Sequence, residues 1–122
     1  MGDFNDNPDN VSISKYLDAQ KPSATVQPKT LYDVMLIKFQ AGEGSLYYKS
    51  WDMFDQIIVS SNLFLQQSKT LHLNLNNYGV FKRSWMLYTD KKGLQTPNKT
   101  YGGGSYFGGY SDHLPVYITL TY

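Results

Sequence analysis

A single α+β domain, mostly antiparallel sheet with covering helices, is the fold class this chain predicts. Two observations carry the prediction. Several segments alternate apolar and polar residues, as strands with one covered face do, and two short segments open on residues suited to starting a helix. Length adds that there is one such unit, because 122 residues support one core and are too few for two.

From the N-terminus, "GDFNDNPDN" (2–10) is a polar, turn-forming stretch. Pro8 and Asp9 then suit the start of a short helix to about residue 19, carrying Val11, Ser12, Ile13, Tyr16 and Leu17. "QKPSATVQPK" (20–29), with two prolines, reads as a loop. Thr30 is placed to cap a helix over 31–39, which Gly42 and Gly44 would end. "SLYYKSW" (45–51) and "FDQIIVS" (54–60) are rich in β-forming residues, with Asp52 and Met53 between them. "KTLHLNL" (69–75) alternates cleanly, with Leu71, Leu73 and Leu75 on one side and Thr70, His72 and Asn74 on the other. "VFKRSWMLY" (80–88) is read as a short helix, and residues 89–111 as one long connection of the kind that often carries function. The chain closes on a strand at 115–121 with Val116, Ile118 and Leu120 on one face. No internal repeat and no interdomain linker interrupts this order.

Composition narrows the chemistry. Eleven basic against 10 acidic residues leave almost no net charge, and Arg83 is the sole arginine, which is not the basic excess of a dedicated nucleic-acid binder. With no cysteine, disulfides and thiolate metal sites are excluded. No apolar run approaches the ~18 residues of a membrane-spanning helix. Tyrosine is abundant, at 11 residues, and suits half-covered strands or a surface on which sugars or bases stack.

The candidate sites sit at the two ends. Asp3, Asn5, Asp6, Asn7 and Asp9 open like a calcium loop, but Pro8 stands where the turn glycine belongs and Ser14 where the bidentate glutamate belongs. An Asx-rich turn is the plainer reading. The glycines of "YGGGSYFGGY" (101–110) lack the Gly-Lys-Ser/Thr ending of a phosphate loop and read as a flexible turn. His72 belongs to the polar side of its strand. His113 differs: Asp112 adjoins it and Asp55 opens another β run, so a carboxylate could fix the imidazole's tautomer. A serine-hydrolase triad through Ser111 does not fit, because sequence neighbours do not make a linear triad and no nucleophile elbow is present.

Together, "GDFND" (2–6), "WDMFDQIIVS" (51–60) and "GGYSDHLPVYITL" (108–120) resemble the endonuclease/exonuclease/phosphatase superfamily, whose members include pancreatic deoxyribonuclease and abasic-site endonucleases. The match runs along the whole chain in order. The resemblance implies roles at matching positions. Asp3 would handle the attacking water's proton, and Asn5 would hold the phosphate or a metal. Asp112 would lie near a divalent ion, Mg²⁺ or Mn²⁺. His113 would donate to the scissile phosphate, and Asp55 would orient it. Such a set suits phosphate-ester hydrolysis, in which a water must be positioned and charge offset on phosphoryl oxygens.

The resemblance also implies a four-layer α/β sandwich of two halves, with a metal-binding glutamate in the N-terminal half. The sole glutamate here, Glu43, follows the G-D-F-N motif and does not correspond to it. Residues 1–122 are therefore expected to be the C-terminal half of such a domain, inactive alone, with the other half and a phosphate-ester substrate as partners. Self-association through an uncovered face or edge is expected for the fragment. The alternative is a non-catalytic module that binds carbohydrate or nucleic acid on the same fold.

Overall fold

The computed structural model describes residues 1–65 and 70–122. It is an α+β structure, 36% strand and 16% helix, and so mostly sheet as the alternating segments predict. The strands are β1 (Gly2–Asp3), β2 (Ala19–Gln20), β3 (Leu31–Asp33), β4 (Leu46–Tyr48), β5 (Ser50–Asp52), β6 (Asp55–Gln56), β7 (Ile58–Ser60), β8 (His72–Val80), β9 (Leu87–Thr89), β10 (Gln95–Pro97), β11 (Tyr101–Gly102), β12 (Ser105–Tyr106) and β13 (Val116–Thr121). One α-helix, α1 (Met35–Gln40), joins them. Among the described residues every strand pair is antiparallel except β2–β3.

The core lies between the β2-β3-β7 sheet and the antiparallel β8–β13 pair. Tyr32, Val34, Met35, Met53, Ile57, Val59 and Leu73 form it, and Val80, Val116 and Ile118 pack against it. Each such side chain contributes about 1.5–3 kcal/mol by leaving water. Strands β1 and β6 pair beside this core, with Gly2 opposite Gln56 and Asp3 opposite Asp55.

Four expected elements differ. Residues 31–33 are strand β3, not helix, because the capping residue is Asp33 rather than Thr30. The Met35 N–H donates to Asp33 Oδ1 at 2.9 Å, whereas Thr30 Oγ1 donates back to the Pro28 carbonyl at 3.4 Å. Tyr32 is then free to bury its ring against Phe64, edge-on at 4.9 Å. The helix expected from Pro8 shrinks to a π-helical turn at Ser12–Tyr16, and Asp18 follows it in the left-handed region at φ 53°.

The strand expected over 69–75 runs from His72 to Val80, and Lys69 lies outside the described residues. Its pairing with β13 steps from Tyr78 to Asn74 between Ile118 and Thr119, so Leu75 falls in a bulge and is exposed while Leu73 is buried. Residues 80–88 are not a helix. Pairing with β13 holds Val80 opposite Val116, Phe81 N–H donates to the Pro115 carbonyl at 2.7 Å, and only a 3₁₀ turn at Ser84–Met86 precedes β9. The long connection 89–111 carries β10 and a separate hairpin, β11–β12.

Candidate active site

Ser45 shows how the sequence brings distant segments to one place. It is fully buried. Its N–H donates to the Asp52 carbonyl at 2.8 Å, its carbonyl accepts Leu114 N–H at 2.6 Å, and its hydroxyl accepts Asp55 N–H at 3.1 Å. One residue thus ties the head of β6 to the chain just after His113, and Leu46 makes a bridge to His113 itself. Gly44 is required for this approach, since a Cβ there would stand 2.7 Å from the Asp52 carbonyl oxygen. Leu114, 1% exposed, anchors the far side.

The result is a contact between Asp55 and His113, at 2.6 Å from Oδ2 to Nδ1. A carboxylate only accepts, so Nδ1 carries the proton and donates. Nε2 then faces away with no hydrogen bond among the described residues, the arrangement a second donor or a proton acceptor needs. Both side chains are half-buried, which strengthens the pair over one in open water.

Asp3 stands directly opposite Asp55 across β1–β6. Opposed residues on antiparallel strands have Cβ atoms about 4.5–5.5 Å apart, so two carboxylates share one patch. Phe4 N–H donates to the Phe54 carbonyl at 2.8 Å, continuing the pairing for one residue. The chain then turns sharply, with Asn5 in the left-handed region at φ 54° and its N–H donating to Asp3 Oδ1 at 2.8 Å. Asparagine tolerates that conformation better than most residues. The turn is clasped from behind. Asp6 accepts the Asn10 amide and the Ser12 hydroxyl, each at 2.5 Å, and these two bonds hold its carboxyl below the usual range. Asn7 donates to Asp52 Oδ1 at 2.8 Å and accepts Met53 N–H at 2.7 Å. Gln56, fully buried, donates to the carbonyls of Asp6 and Met53 at 2.5 and 3.0 Å.

Asp112 is exposed beside His113 and makes no hydrogen bond among the described residues. Its loop is fixed from the other side. The Asn98 carbonyl accepts the N–H groups of Tyr110 at 2.7 Å and Ser111 at 3.3 Å, and Thr100 Oγ1 donates to the carbonyls of Gly109 and Tyr110. Ser111 Oγ accepts His113 N–H at 3.1 Å, an ordinary turn bond rather than a nucleophile's. A Cβ on Gly109 would lie 2.0 Å from the Asn98 oxygen, so this glycine serves a close backbone approach.

The whole chain, residues 1–122, matches the family described as Endonuclease/Exonuclease/phosphatase family. The chain belongs to that family. A search of the curated proteins and of the solved structures finds no match. Membership in the endonuclease/exonuclease/phosphatase family points to hydrolysis of phosphate esters, and enzymes of the family generally use divalent metals.

Among the described residues no group of three or more histidine or acidic side chains converges on one point. Glu43 is engaged elsewhere, 3.6 Å from Lys38 at the end of α1. His72 lies apart on β8, its Nδ1 3.5 Å from the Thr70 carbonyl. Sequence reading missed Ser45, Gln56 and Asn98, whose signal is only a short polar residue inside or beside a β run, and it read Asn7 as part of an Asx turn rather than as the clasp on Asp52 and Met53. It also missed Asp33, fully buried, whose carboxyl burial pushes up to about 6 against the pull of the Met35 and Leu36 N–H groups.

Proposed function

We propose that the chain is the C-terminal half of a divalent-metal-dependent phosphoesterase of the phosphodiesterase or nuclease type, and that residues 3, 5, 55, 112 and 113 are its share of the active site. The observation that carries the reading is the 2.6 Å contact of His113 with Asp55, with Asp3 opposite Asp55 in the strand register. Asp55 accepts from Nδ1 and fixes the ring's orientation, so that the imidazolium form, which carries a second proton, aims Nε2–H outward as the donor to a phosphoryl oxygen. Asp3, exposed at the neighbouring position, takes a proton from the water that attacks phosphorus as the bond to the leaving alkoxide oxygen breaks. The side-chain amide of Asn5, presented by a left-handed turn, offers a neutral donor or oxygen ligand at the same edge. Asp112 stands ready as an oxygen ligand, and the metal's remaining ligands come from outside the described residues. Binding of Mg²⁺ by the chain alone is accordingly weak, and the chain alone is inactive.

The test is an assay of the chain joined to its upstream sequence, on a simple diester such as bis-p-nitrophenyl phosphate with Mg²⁺ or Mn²⁺. His113→Ala is expected to lower kcat by ~10²-fold or more, as loss of a transition-state donor does. Asp3→Asn, which keeps the shape and removes the base, is expected to cost at least as much. Rates like the wild type in both variants overturn the assignment.

A further inference from the structure

Beside the catalytic edge lies a pocket of about 310 Å³ that the hydrolytic roles leave unused, lined by Tyr88, Thr96, Pro97, Asn98, Lys99 and Phe107. Its two aromatic rings are largely uncovered, Tyr88 at 56% and Phe107 at 59% exposure. The Phe107 ring and the Lys99 side chain close over Gly102, each 2.8 Å from where a Cβ there would stand. Lys99 Nζ sits 5.9 Å from the centre of that ring. The Asn98 side-chain amide and the Thr96 hydroxyl make no hydrogen bond among the described residues, although the Asn98 backbone is fully engaged.

The pocket is also close to the chemistry. Asn98 lines it and, through its carbonyl, holds Ser111, which precedes His113 by two residues. Two residues of chain span at most about 7 Å. A group seated in the pocket is therefore a near neighbour of a phosphate at His113.

We propose that this pocket is a stacking subsite for one nucleobase of a single-stranded nucleic acid, adjacent to the scissile phosphate; it rests on the phosphoesterase reading for the phosphate's position. A base has a face for Tyr88 and Phe107 and hydrogen-bonding edges for Asn98 and Thr96, while Lys99 meets the backbone charge. A lipid chain would leave those three polar groups without partners. Charge along the sequence agrees: residues 80–110 hold Lys82, Arg83, Lys91, Lys92 and Lys99 against Asp90 alone, within a near-neutral total of +1, and Lys99 lines the pocket itself. A base stacked on a protein ring cannot also be stacked in a duplex, which selects single strands.

The experiment measures binding in EDTA, without turnover, by fluorescence anisotropy of the wild-type chain with a short labelled oligonucleotide. The comparison is an abasic strand of equal length. The base-containing strand is expected to bind about 10-fold more tightly. Phe107→Ala should remove that difference and leave abasic binding unchanged, whereas Lys99→Ala should weaken both strands. Equal binding of the two strands by the wild type overturns the proposal even if a variant fails to fold. So does retention on phosphatidylserine vesicles, lost in Phe107→Ala, without any preference for bases. Failure here leaves the hydrolysis of bis-p-nitrophenyl phosphate untouched, because that diester carries no base, so the two readings fall separately.

Discussion

The proposed catalytic edge and the aromatic flank next to it are built on opposite plans. Around Asp55 and His113, buried polar residues reach across the sequence: Ser45, Gln56 and Asn7 each bond to segments far along the chain, and the first two are fully buried. Residues 87–107 instead form two small hairpins whose rings point outward, Tyr101, Tyr106 and Phe107 among them. Their link to the catalytic loop runs through the Asn98 backbone and the Thr100 hydroxyl. Rigid placement is what a catalytic pair requires, since small displacements are costly, and adaptable exposed rings suit recognition. Buried hydrogen-bond hubs supply the first, and short glycine-bearing hairpins supply the second.

The sharpest way to break this contrast is to cut the link. Gly109→Ala forces a Cβ to within 2.0 Å of the Asn98 oxygen, so the loop bearing Asp112 and His113 must shift. In the domain joined to its upstream sequence, kcat is expected to fall by roughly 10²-fold while the melting temperature changes little, because displacement of reacting groups costs rate far more than stability. Unchanged kcat would show that the loop is placed from the Ser45 side alone.

The buried hubs make a stability prediction with a definite sign. Asp33 has its carboxyl raised to about 6 from 3.8, so the folded chain holds a proton there that the unfolded chain has lost. Its contribution is fully present below about pH 4 and is lost as pH rises through about 6, a change on the order of 3 kcal/mol. Asp6, held low, acts in the opposite sense and only at more acid pH. Denaturant midpoints at about pH 4.5 and about pH 7 should therefore differ in the wild type and converge in Asp33→Asn.

Smaller still is Ser45→Ala. The Asp55 N–H loses its acceptor in a part-buried setting, for about 1–3 kcal/mol in chemical denaturation. On the aromatic flank, Trp85→Ala removes an exposed edge-to-face contact with Tyr110 at 5.1 Å and should cost at most about 1 kcal/mol. A larger loss at Trp85 than at Ser45 would invert the contrast between the two regions.

The residues proposed to do the chemistry stand out in the sequence because their identity is local. Acid, amide and imidazole stand in short motifs whose composition declares them. Their supports were not legible, because a buried serine or glutamine declares nothing until the strand that it bonds is known. Asp55 and His113 are 58 positions apart, and the Ser45 hub, the Leu46 bridge and the Asn98 carbonyl make them neighbours. The same blindness explains the misplaced helix at 31–39, where Thr30 and Asp33 are both competent caps and sheet pairing of Tyr32 with Val59 decides between them. At 80–88 the apolar spacing suited a helix, but β13 offered the backbone a partner. Glycines misled in a different way. Gly102 and Gly109 read as flexibility, and each instead admits a side chain or carbonyl into space that a methyl group would fill.

The carbonyl of Asn98 acts as a hinge pin between two parts that can diverge separately. Gly93 and Gly103, on the outer turns at φ 84° and 56°, have nothing within 4 Å of where a Cβ would stand, so the tips project clear of the His113 side. If the aromatic flank recognises substrate as proposed, preference can drift through Tyr88, Thr96, Lys99 and Phe107 while residues 98 and 109–113 stay fixed. The flank behaves as an interchangeable tool head on a constant handle.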